Sequence, residues 1–114
     1  MAASTTALLA LSFTSLSALS EYQPVQATGA AATAGGNAVG FSDTVVPSAG
    51  QRFAATSIGT SLAVAGAAIA VGALIEVHST VTQVVTRSAG VAIGRALTAA
   101  SGAGDVIQVL LISN

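Results

Sequence analysis

Apolar and polar residues in this chain are arranged in short runs separated by glycine and other turn formers at fairly even intervals. The marks are Gly29, Gly35-Gly36, Ser48-Ala49-Gly50, Gly59, Gly66, Gly72, Gly90 and Gly102-Ala103-Gly104. Between them lie runs rich in Val, Ile and Thr: Tyr22 to Thr28, Asn37 to Phe41, Arg52 to Ser57, Ser61 to Ala65, Ala73 to Ser79, Val81 to Thr86, Val91 to Leu97 and Val106 to Ile112. Branched residues suit a pleated, half-buried surface, so each run predicts a strand and each mark a turn. In Ala73 to His78 the alternation sets Ala73, Ile75 and Val77 on one face and Leu74, Glu76 and His78 on the other. That period of two predicts a half-buried strand with Glu76 and His78 facing outward together. Val106 to Ile112 is apolar on both faces apart from Gln108, as expected of a central strand covered on both sides or of a subunit contact.

Two segments read less simply. Val91 to Ala100 contains helix-favouring Leu97 and alanines, opposed by Gly90 and Gly94, and reads as a strand closing in a helical turn near Ala99. Thr5 to Leu19 spaces five leucines among serines and threonines, a pattern that fits a helix or an extended arm. The expected architecture is mainly β: a small β-sandwich or β-barrel-like domain of about eight short strands over residues 21–114, preceded by an N-terminal arm over residues 1–20.

Composition narrows the function classes. The 114 residues carry three arginines, no lysine, four acidic residues and a net charge of −1, which lacks the basic footprint that displaces counterions from nucleic acid. So few charges on a small domain imply that much of its surface meets other protein. Without cysteine there is neither a disulfide nor a thiolate ligand, and a single histidine cannot build a two-histidine metal motif. No phosphate-binding loop or nucleophile elbow occurs, so neither a cofactor nor an enzymatic activity is expected. Glu76 with His78 could form an acid–base pair, but no nucleophile or orienting group accompanies them, and a solvated polar patch is the better reading. Gly102-Ala103-Gly104-Asp105 reads as a turn with positive φ before the last strand rather than an anion nest, and Arg87 and Arg95 could hold carboxylates on a partner or simply pair with Glu76 and Asp105.

Two membrane readings fall short. Met1 to Ser20 ends in Ala18-Leu19-Ser20 like a secretory signal, yet has no basic residue and is interrupted by Ser12, Thr14, Ser15 and Ser17. Phe53 to Ile75 is uncharged and long enough to span a bilayer, but it is rich in Gly, Ser and Thr and has no aromatic anchors.

The block Val64 to Val77, then Gln83-Val84-Val85-Thr86, then Gly90 to Leu111 resembles the capsid cement, or head decoration, proteins of tailed bacteriophages, as does Tyr22-Gln23-Pro24-Val25 upstream. The resemblance runs from Tyr22 to Ile112 and is most specific from Gly90 onward. It implies a β-rich structural protein, often trimeric, that binds the outside of an assembled shell through the major capsid protein and reinforces it. It implies neither a catalytic residue nor a cofactor, and no membrane or nucleic-acid partner. The arm would then lie against the shell or a neighbouring subunit, with Leu11, Phe13, Leu16 and Leu19 as apolar anchors. The location implied is the outer capsid surface of the virion, reached from the host cytoplasm during assembly. The alternatives are a self-assembling capsid or tail-tube component and a small membrane protein spanning residues 53–75.

Overall fold

A computed structural model describes residues 6–112, which form eight strands and no helix. These are β1 (Thr6–Thr14), β2 (Pro24–Val25), β3 (Gly40–Ser42), β4 (Arg52–Val64), β5 (Leu74–Val77), β6 (Val84–Thr86), β7 (Gly94–Ala96) and β8 (Val106–Leu111). All belong to one curled, antiparallel sheet, so the mainly β, barrel-like expectation holds. The strands expected at Arg52–Ser57 and Ser61–Ala65 are one: Gly59, read as a turn, takes φ +113° inside β4 without breaking it. Glycine has no Cβ to clash there, so the strand twists and continues.

β4 organises the molecule. Along one edge it pairs with β1, from Thr60↔Thr6 to Arg52↔Thr14; along the other it pairs first with β3 (Ala55↔Ser42, Thr56↔Phe41) and then with β8 (Thr60↔Leu110 to Val64↔Val106). β2 extends the sheet from β3, and β7, β5 and β6 extend it from β8.

The registers contain an internal duplication. Phe13↔Phe53 and Leu11↔Ala55 in the β1–β4 ladder recur as Ala63↔Ile107 and Ser61↔Val109 in the β4–β8 ladder. Val25↔Gly40 between β2 and β3 recurs as Ile75↔Gly94 between β5 and β7, and Phe41↔Thr56 as Arg95↔Leu110. The isolated bridge Leu19↔Val46 recurs as Ile69↔Ala100. Turn hydrogen bonds follow suit: the Ser15 amide donates to the Gln51 carbonyl as Ala65 donates to Asp105, and Gly50 donates to Ser15 as Gly104 donates to Ala65. Gly50 and Gly104 share a left-handed φ near +90°. The first repeat therefore ends in the first half of β4, and the second begins in the second half.

The duplicated positions also supply equivalent cores. Leu19, Val25, Val46, Phe53 and Ala55 form the smaller cluster, and their counterparts Ile69, Ile75, Ala100, Ile107 and Val109 belong to the larger one. Between Leu9 and Ala10 the β1–β4 register skips Ser57, and one skipped residue reverses which face the alternate side chains of a strand occupy. The two clusters accordingly lie on opposite faces of β4. Phe41, opposite Thr56, points away from Phe53 and Ala55 and joins the second repeat's core together with Ala32 and Ala38. Those three side chains fasten one repeat to the other.

Several expectations change. Thr6–Thr14, within the stretch read as a helix or arm, is an extended strand on β4, while residues 1–5 of that arm lie outside the described residues. Residues 53–75 are not a helical span: they form most of β4, a turn and the start of β5, and among the described residues no helix is long and apolar enough to cross a membrane. Glu76 is buried rather than outward-facing, because the turns around Gly35 and Gly90 cover the second face of β5.

Candidate interaction surface

Four of the seven charged side chains, Glu76, Arg87, Arg95 and Asp105, are committed to turns. The Glu76 carboxylate accepts hydrogen bonds from the Ser88 amide (2.7 Å) and Ser88 Oγ (3.0 Å), and a further one from the Gly90 amide. The Ser88 amide, outweighing the opposing effect of burial, with the Ser88 hydroxyl, the Gly90 amide and nearby Arg87, holds its pKa below the ordinary 4.5. A side chain at Gly90 would collide with Glu76 Oε2, so the turn requires glycine there. His78 is half-buried and its Nδ1 accepts the Thr80 amide at 3.0 Å, a separate arrangement from that of Glu76. The two side chains thus hold turns and do not form an acid–base pair.

Asp105 closes the other glycine-rich turn. Its Oδ2 accepts the Ser101 hydroxyl (2.7 Å) and amide (2.8 Å), which lower its pKa, the hydroxyl most. The turn carries positive φ at Gly104, as expected, and Ser101's donors go to the chain's own carboxylate rather than to a bound anion. Arg87 Nε donates to the Gly90 carbonyl (2.8 Å) and Arg95 to the Gly72 carbonyl (2.7 Å). Among the described residues no three His, Cys, Asp or Glu side chains gather as metal ligands.

The surface offers apolar side chains and open backbone instead. β1 pairs with β4 alone among the described strands, so its other edge is unprotected by β-pairing. Residues 8–12 are all exposed, with Leu8 at 78% in the register irregularity between Ala7 and Leu9. Such an uncharged, proline-free edge is an open template for another strand. Of the four expected anchors, Leu11 (40% exposed) and Leu16 (60%) are available. Leu19 is taken up by the smaller core, and Phe13 packs half-buried on it, 5.8 Å between ring centroids from Phe53. Leu8 and Ile58 are exposed apolar side chains that sequence reading missed; both lie at breaks in strict alternation, where period-two reasoning gives no signal.

The first repeat also holds a pocket of about 250 Å³ lined by Gln26, Ala27, Thr28, Thr33, Asn37 and Val39. No lining residue is titratable, which suits recognition rather than acid–base chemistry. Gln26 Nε2 is engaged by the Ala31 carbonyl (2.9 Å), and Asn37 Oδ1 accepts the Ala38 amide (2.8 Å).

A similar fold is found in a solved structure, the head fiber gp8.5 N base of bacteriophage phi29. The two superpose with a TM-score of 0.73 over 91% of this chain and 93% of the other, at 13% sequence identity. The likeness is one of fold. No protein-family model and no curated protein matches the chain.

Proposed function

We propose that the protein is a non-enzymatic structural component of a tailed-phage virion that binds the outer surface of the assembled head and stabilises it. The observation that carries this reading is the fold shared with a phage head fiber base over nine-tenths of both chains. Its partners are the major capsid protein and further copies of itself, in a homotrimer as the cement-protein resemblance implies. Leu11 and Leu16, with Leu8, contact the shell, while Phe13 and Leu19 brace the strand and turn that present them. Stabilisation follows from mass action: a protein that binds only the assembled lattice adds its binding free energy at every site, and many equivalent sites make modest contacts collectively large.

Co-sedimentation of the purified chain with undecorated heads tests the reading. Saturable binding at a symmetry-compatible stoichiometry, accompanied by greater resistance of the heads to heat, is the expected outcome. A chain that never sediments with heads, or that builds closed particles alone, overturns it, the latter in favour of a shell-forming component.

A further inference from the structure

The internal duplication contains one filled joint and one open counterpart. In the filled joint, the Gly35 turn of the first repeat sits on the second. The Gly35 amide donates to the Val77 carbonyl (2.9 Å) and the Gly35 carbonyl accepts the Val91 amide (2.9 Å), with Glu76 and Gly90 packed around it. The repeat relation carries Glu76, Val77, Gly90 and Val91 onto Gln26, Ala27, Gly36 and Asn37. Three of these four line the open pocket of the first repeat. The equivalents of the two clamping peptide groups, the Ala27 carbonyl and the Asn37 amide, have no hydrogen-bond partner among the described residues. Within this one molecule, the same seat is occupied once and vacant once.

The duplication also identifies what fits the vacant seat. The residue that precedes Gly90, as Gly35 precedes Gly36, is Ala89, at the tip of the exposed Ser88-Ala89 turn, and its own amide and carbonyl likewise have no partner among the described residues. We infer that the Ala89 turn of one copy docks in the Ala27–Asn37 pocket of a second copy, its amide donating to the Ala27 carbonyl and its carbonyl accepting the Asn37 amide. The joint is heterologous: each copy offers a turn at one end and a seat at the other, so a closed ring satisfies every copy. This inference rests on the repeat geometry and stands apart from the proposed binding to phage heads.

Light scattering coupled to gel filtration of the full chain, without heads, tests it, using Ala27→Arg to block the seat and Ala89→Arg to block the turn. Both positions are exposed, and an unchanged strand-type circular dichroism spectrum verifies folding of each variant. The wild type is expected to be a closed oligomer and each variant a monomer. An equimolar mixture of the two variants forms a dimer and nothing larger, because one intact turn and one intact seat remain. A monomeric wild type, an oligomer that survives in both variants, or a mixture that stays monomeric overturns the joint. Head binding by a monomeric chain would remove this joint, and the homotrimer with it, while leaving the proposed binding to heads intact.

Discussion

The two repeats hold the same backbone with different interiors. Where the first buries Ser15, Gln23 and Ser42, the second has Ala65, Ala73 and Ala96 at the matching positions. In the first repeat those polar groups cross-link turns: Ser42 Oγ accepts the Gln23 amide (3.1 Å) and donates to the Ser20 carbonyl (2.7 Å), and Ser15 Oγ donates to the Ser48 carbonyl (3.0 Å). At Ala73 and Ala96 the second repeat closes the matching turn with backbone hydrogen bonds alone, its glycine-rich turn is held by Asp105 on Ser101, and it packs more apolar volume, since its cluster also takes in Phe41, Ala32 and Ala38 from the first. Register and turn geometry are therefore what the fold requires, and the means of filling the interior is free to vary. Turn conformation persists even against residue preference. Tyr22 holds φ +61° at the position where Gly72 holds +86°, a left-handed backbone that costs a tyrosine roughly 1–2 kcal/mol.

The comparison is broken most strongly by truncating matched core residues. Ile107→Ala, in the fully buried second-repeat core, should cost ~2–5 kcal/mol, and Phe53→Ala at the matching but more peripheral position should fall toward the lower part of the ~3–5 kcal/mol range for such changes. Urea denaturation of both variants checks the order, and a larger loss at Phe53 would contradict the unequal cores. Next in size is Ser42→Ala, which leaves the buried Gln23 amide without the hydroxyl and should cost ~1–3 kcal/mol. Ala96→Ser, the reverse change in the second repeat, gains no compensating stability if the apolar solution there is complete. The smallest effect is a dependence on pH. Because folding lowers the pKa of Glu76, its contribution is fully present above the ordinary value of 4.5 and disappears as pH falls through the lower folded value. Glu76→Gln should flatten that part of the stability–pH curve, as read from denaturation midpoints at a series of pH values.

Much of the fold was legible because turns carry local signals. Gly50, Gly72 and Gly104 mark left-handed residues, and the runs between such marks became β5 to β8 with small shifts of boundary. β1 was not legible as a strand, since its leucines and serines favour neither state and only the non-local β4 ladder decides it. Glu76 was misplaced because alternation assumes one solvated face, whereas two glycine turns cover β5 from above. The duplication left faint traces, of which Gly36…Gly40 and Gly90…Gly94 are the clearest. Gly40 and Gly94 are glycines for one reason, the close approach of the Thr56 and Leu110 carbonyls at matched positions. With most other matched positions differing in residue type, a sequence comparison of the halves has little to align. Of the candidate surface, Leu11 and Leu16 could be read from the leucine pattern, while the pocket could not, because its lining from Gln26 to Val39 is brought together only by the folded backbone.

The sharing of β4 has a consequence for how the protein comes apart. A chain of two independent repeats would open one unit at a time, with separate protection of its backbone amides. Here the last strand of one unit is continuous with the first strand of the next, so neither repeat can fray past Ile58 without releasing its neighbour. Amide exchange from both halves should therefore follow one cooperative opening, with the β4 protons between β1 and β8 among the slowest to leave.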